Sequence, residues 1–133
     1  MSLDSPLHSF GLIPDLEDSR DLKFSPKKFG VTTVVDHRDR MGPIKDQGKR
    51  GSCVAFAFCA LLEWCTGERD LSEEMLYQQI CEPGGGSHPR NACKALQRVG
   101  TCREKWWKYN QIGKDPVSTS YMIDWPKHRR ALG

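Results

Sequence analysis

The sequence predicts a mainly α domain with few short strands, and three observations carry that prediction. An apolar run from Val54 to Leu62 lies between Ser52 and Gly67, a capping serine and a helix-stopping glycine. Leu71-Ser72-Glu73-Glu74 sets a second capping serine before two carboxylates, which suit the positive end of a helix dipole. Ala92, Ala95, Leu96 and Val99 follow the i, i+3, i+4, i+7 stripe of an amphipathic helix, and Gly100 closes it.

From the N-terminus, residues 1–30 carry Pro6, Pro14 and Pro26 among acidic and small residues without periodicity, the pattern of an extended arm lying on a surface. Val31-Thr32-Thr33-Val34-Val35 is β-branched and predicts a short strand. Gly42-Pro43 and the glycines of Gln47-Gly48-Lys49-Arg50-Gly51 punctuate the link that follows. The helix opening at Cys53 is apolar on every side, so it is predicted to be the buried centre of the domain. The second helix runs from its Ser72 cap to about Ile80, before Pro83-Gly84-Gly85-Gly86 breaks the chain. The third exposes Lys94, Gln97 and Arg98, and Trp106, Trp107 and Tyr109 then form an aromatic cluster. The expected organisation is an arm (1–30), a helical domain (31–110) and a polar tail (111–133).

Composition narrows the function classes. The 133 residues hold 20 Lys+Arg against 17 Asp+Glu, a formal charge of +3, with 38% hydrophobic and 28% charged residues; this lacks the lopsided charge of intrinsic disorder. The longest cationic run, Lys127-His128-Arg129-Arg130, is too short for an extended nucleic-acid track, so no nucleic-acid partner is expected. Val54–Leu62 falls far short of the roughly 20 apolar residues that cross a bilayer, and no membrane partner is expected either. Six cysteines (Cys53, Cys59, Cys65, Cys81, Cys93, Cys102) include no C-x-x-C pair. Cys53, Cys59 and Cys65 fall on different faces of a helix, so no metal is expected, and no motif calls for a cofactor.

The chemistry concentrates at Gln47-Gly48-Lys49-Arg50-Gly51-Ser52-Cys53. A cysteine in the first turn of a helix sits among unpaired N–H groups at the positive dipole end, which favours thiolate over thiol and suits a nucleophile. The glycines let backbone approach a substrate, and the Gln47 amide has the reach to join the Cys53 N–H at an oxyanion. Cys53 equally fits the role of a small buried hydrophobe.

Gln47 to Phe56 resembles the active-site segment of papain-like cysteine peptidases. The likeness extends over roughly residues 34–109. Val35-Asp36-His37-Arg38 resembles the start of their mature domain, Gly42-Pro43-Ile44-Lys45-Asp46-Gln47 their approach to the nucleophile, and Leu71-Ser72-Glu73-Glu74 their Leu-Ser-Glu-Gln helix start. Leu12-Ile13-Pro14-Asp15-Leu16 with Ser19-Arg20-Asp21 is similar to the propeptide-like arm of bacterial members, and Gly100 to Tyr109 to their Gly-Val-x-x-Glu…Trp-Pro-Tyr segment. The resemblance implies the helical (left) lobe of the papain-like α+β fold. It makes Cys53 the nucleophile, Gln47 the oxyanion donor, Gly51 and Ser52 part of the substrate-facing loop, and Gly85 and Gly86 the glycine pair lining the subsites N-terminal to the scissile bond.

Departures from the pattern shape the expectation. Arg50 stands where secreted members carry a bridging cysteine, and the partner before the glycines is absent; Cys81 likewise lacks its usual partner. With no signal-like Met1–Pro6 segment, these losses imply a reduced, cytoplasmic setting. Val54 replaces the usual Trp beside the nucleophile, which implies a smaller cleft wall. Only 80 of the 133 residues follow Cys53, whereas the family's His and Asn lie about 130–150 residues downstream. His8, His37, His88 and His128 do not fit the family's His. The resemblance therefore implies the nucleophile-bearing half of a cysteine-type peptidase without its base, inactive alone, acting on a peptide or protein with a complementary second lobe to which the tail leads, and prone to self-association. A non-enzymatic peptide- or partner-binding module and a regulatory redox thiol protein are the alternatives.

Overall fold

Helices α1 (Cys53–Thr66), α2 (Glu73–Ile80) and α3 (Pro89–Arg98) carry the chain, in a computed structural model that describes residues 10–26, 30 and 34–112. A short 3-10 turn, Arg38–Arg40, precedes them. The described residues are mainly helical, and no strand forms among them beyond the isolated bridges Leu12 to Ser87 and Leu71 to Arg103. Of the strand expected at Val31–Val35, residues 31–33 lie outside the described residues, and Val34 and Val35 are exposed without ladder partners. The tail from 113 onward also lies outside them.

Each pair of helices is in contact. Val54, Ala55, Cys59 and Leu62 of α1 meet Leu76, Tyr77 and Ile80 of α2 and Ala92 and Leu96 of α3 in one buried cluster. Burying each large aliphatic chain contributes about 1.5–3 kcal/mol. Val54 is part of this core at 4% exposure, so it does not form a cleft wall as expected from its place beside Cys53. Met75, Cys102 and Trp107 make a second cluster that anchors the chain after α3.

The helix boundaries follow local signals. Gly67 ends α1 in the left-handed conformation with φ +73°, its N–H on the Glu63 carbonyl. Ser72 caps α2 by accepting from the Met75 N–H at 3.1 Å, and its hydroxyl donates to the Trp107 carbonyl at 2.6 Å. Ser52 occupies the N-cap position of α1 without capping through its side chain. Nor is α1 buried all round: Ala57 is exposed, Leu61 is 50% exposed, and Phe56 and Ala60 are half-buried. An apolar helix with no polar stripe therefore presents a bare face, because only α2 and α3 pack on it among the described helices.

The two carboxylates expected to front the dipole of α2 do more than that. Both are buried, and each faces a cation from the preceding link. Lys45 Nζ lies 2.7 Å from Glu73, 3.1 Å from Asp70 and 3.6 Å from Glu63. Burial pushes the Glu73 carboxyl up, with Lys45 opposing the shift; burial alone would lower Lys45, but its acidic partners hold it above its ordinary value. Arg50 pairs in the same way with the fully buried Glu74. Carboxylates taken out of water need such partners, and these two ion pairs fix residues 45–50 against α2.

Candidate functional site

The loop from Gln47 to Ser52 is held from several sides. The Gln47 amide donates to the Arg50 carbonyl at 2.8 Å, and the Gly48 N–H to the Asp46 carboxylate at 2.8 Å. The Tyr109 hydroxyl donates to the Gln47 carbonyl at 2.7 Å and lies 2.7 Å from the Ser52 hydroxyl, so one phenol ties both ends of the loop. This occupies the buried Ser52 hydroxyl, which explains why it does not cap α1. The Arg50 guanidinium stacks over Tyr77 at 4.8 Å and Tyr109 at 5.1 Å. Arg50 and Tyr109, to neither of which the sequence reading assigned a part in the site, are thus the loop's supports.

Cys53 is the first residue of α1 and is half-buried. Its N–H donates to the Phe10 carbonyl at 3.3 Å, and the Gln47 Nε2 reaches the same oxygen at 3.5 Å. The two donors picked out in sequence therefore converge on one carbonyl oxygen, supplied by the chain's own arm. Beside it lies a pocket of about 460 Å³ lined by Phe10, Ile44, Gln47 and Phe56. A second, of about 490 Å³, continues over Met41, Ala57 and Ala60 on the bare face of α1.

The arm goes on from Phe10 by pairing with the glycine loop. The Ser87 N–H donates to the Gly11 carbonyl at 2.9 Å and the Ile13 N–H to the Ser87 carbonyl at 3.0 Å, a parallel bridge centred on Leu12. Gly11, at φ +92°, crosses so close to the loop that a Cβ there would lie 2.2 Å from the Gly51 carbonyl oxygen. Gly86, at φ +82°, would put its Cβ 2.8 Å from the Gly11 carbonyl oxygen. Gly51 and Gly86 are therefore brought to the site. Gly85 is not: it is exposed, and its N–H turns back to the Glu82 carbonyl at 2.9 Å. The pairing backbone belongs to Ser87, which the sequence reading passed over; its side-chain oxygen is buried without a hydrogen-bond partner among the described residues.

Farther along, the arm reaches the start of α3. The Arg90 N–H donates to the Asp15 carboxylate at 2.9 Å, so the arm supplies the N-terminal cap that His88 does not. Arg90 Nη2 lies 2.6 Å from Asp21 and donates to the Leu16 carbonyl at 3.0 Å. His88 faces Asp15 at 3.7 Å, and His37 packs edge-on against Trp64. Each described histidine thus has a partner other than Cys53; His8 and His128 lie outside the described residues.

None of the six cysteines is in a disulfide. Burial, with Glu73 and Glu63 adding to it, pushes the Cys59 thiol well up, which makes it a poor nucleophile. Among the described residues no group of His, Cys, Asp or Glu is placed to hold a metal ion, and no helix is long and apolar enough to cross a membrane. Comparison with models of known protein families, with curated proteins and with solved structures finds no match.

Proposed function

We propose that the chain is the nucleophile-bearing half of a cysteine-type peptidase, held closed by its own arm. The observation that carries this reading is the Phe10 carbonyl, met by the Cys53 N–H and the Gln47 amide. Two preorganised donors on one oxygen, beside a thiol at a helix start, is the arrangement that stabilises a tetrahedral intermediate in acyl transfer. In the full reaction a base takes the thiol proton, the thiolate attacks the amide carbon, the two donors hold the oxyanion, and the amine leaves with the proton. Water then hydrolyses the thioester, which releases the acid and restores the thiol. Neither described histidine, His37 nor His88, is placed as that base, and the reading assigns the base to a complementary lobe. The bare strip of Ile44, Met41, Ala57 and Leu61 gives such a lobe, or a second copy of the chain, an apolar surface to cover.

The resemblance to papain-like peptidases puts the glycine-loop side N-terminal to the scissile bond. A substrate then passes that loop in the opposite direction to the arm. With the arm seated, the Gly11 nitrogen lies where the acyl portion of a substrate belongs, so the Phe10–Gly11 bond blocks the site without being its substrate. A peptide aldehyde tests the reading, because its hemithioacetal needs both the thiol and the oxyanion donors. Added to the full chain carrying Gly11→Val, which frees the cleft, it forms an adduct on Cys53. Gln47→Ala weakens that adduct at least about tenfold, in line with the loss of one oxyanion donor, and peptide hydrolysis stays at background in both. An adduct on another cysteine, or one indifferent to Gln47→Ala, overturns the reading.

A further inference from the structure

The far stretch of the arm lies on a surface with its own chemistry. Arg90, Lys94 and Arg98 follow one another at successive turns of α3, so they share one side of the helix. Over that side the arm lays an acidic segment containing Asp15, Glu17, Asp18 and Asp21, with a groove of about 1040 Å³ lined by both. Arg90 holds the segment at three points: its N–H on Asp15, and Nη2 on both Asp21 and the Leu16 carbonyl. Lys94 and Arg98 line the groove without an ion pair among the described residues. Asp18 is held down to about 2 chiefly by its bond to Arg20, with Arg90 and Lys94 adding to the effect.

The path from the Phe10 carbonyl past Ser87 to Arg90 is continuous. A peptide whose scissile carbonyl takes the place of the Phe10 carbonyl and pairs with Ser87 must continue toward α3. Its backbone polarity is reversed relative to the arm, but charge attraction does not depend on chain direction. We propose that the Arg90, Lys94 and Arg98 face of α3 is the distal part of the peptide cleft and selects chains with acidic residues N-terminal to the cleaved bond. The arm's acidic segment is then a stand-in for that part of the substrate. At ~3.3 Å per extended residue, the span from Phe10 to Asp15 places the preferred acids about four to six residues before that bond.

This inference rests on the peptidase reading for the position of the bond, and its test separates the two. The probe is a fluorescein-labelled peptide aldehyde with aspartates at its N-terminal end and an uncharged C-terminal half; the control carries asparagines instead. Anisotropy titrations use the full chain with Gly11→Val, and the wild-type chain, where the arm competes and lowers both affinities. The acidic probe binds at least about tenfold more tightly at low salt, and most of the difference disappears at high ionic strength, as expected for exposed charges. Arg90→Gln with Lys94→Gln and Arg98→Gln removes the preference, while replacing the same positions by lysine where arginine stands retains it. Equal binding of the two probes in both chains overturns the acidic subsite even if the aldehyde labels Cys53. Acidic preference without any Cys53 adduct supports the cationic docking face and overturns the peptidase reading instead.

Discussion

The two stretches of the arm are held by different physics. Residues 10–13 are bound almost wholly through backbone: three N–H to carbonyl bonds link them to Cys53 and Ser87, and Gly11 passes against Gly51 where no side chain fits. Residues 15–21 are held by Arg90, whose guanidinium pairs with Asp21 and whose backbone N–H at the head of α3 donates to the Asp15 carboxylate. The first stretch depends on shape and is indifferent to salt. The second depends on sequence and is partly exposed, so ions in solution compete with it. The near stretch is thus held by a geometric lock and the far stretch by an electrostatic guide.

Breaking the lock has the largest expected effect on the seating of the arm. Gly11→Val places a branched side chain where even a Cβ meets the Gly51 carbonyl oxygen at 2.2 Å, in a conformation branched residues avoid. The Ser87 amide, protected by the Gly11 carbonyl, then exchanges its hydrogen at least about a hundredfold faster, an opening of about 2.7 kcal/mol. Next comes the seat itself. Glu74→Ala leaves the Arg50 guanidinium without its buried carboxylate and costs about 3 kcal/mol in chemical denaturation. Tyr109→Phe, which removes only the hydroxyl between Gln47 and Ser52, costs about 1 kcal/mol.

The guide gives smaller effects. Arg90→Ala raises Ser87 exchange by about fivefold, because it removes the partly exposed ion pair to Asp21 and the bond to the Leu16 carbonyl, together about 1 kcal/mol, and keeps the backbone N–H that meets Asp15. Added salt does less still: about 0.5 M sodium chloride speeds exchange in the wild-type chain by less than about threefold and has no further effect in Arg90→Ala. A salt response in Gly11→Val equal to that of the wild type would show that the two stretches are a single unit and would erase the distinction.

Much of the scaffold was legible in sequence because its signals are local. Gly67 and Ser72 act within one helical turn of the ends they mark, and the stripe Ala92, Ala95, Leu96, Val99 lies within eight consecutive residues. What could not be read depends on partners far along the chain. Ser52 looks like a cap, but its hydroxyl is taken by Tyr109, 57 residues on. Glu73 and Glu74 look like surface dipole partners until Lys45 and Arg50 are seen to bury them. In the run Gly84-Gly85-Gly86 the glycines are indistinguishable by type, and only the arm's approach selects Gly86 and the following Ser87. The bare side of α1 was misjudged for a related reason. An apolar helix signals that it needs covering, not what covers it.

The most direct measurement is the rate of iodoacetamide labelling at each of the six cysteines, followed by peptide mapping in the wild-type and Gly11→Val chains. The account predicts that Cys59 and Cys102, both buried, stay unlabelled at neutral pH, that exposed Cys65, Cys81 and Cys93 react alike in both chains, and that Cys53 alone accelerates, by at least about tenfold, to become the fastest of the six. Cys53 reacting at one unchanged rate in both chains, or more slowly than Cys65 once the arm is displaced, would contradict it.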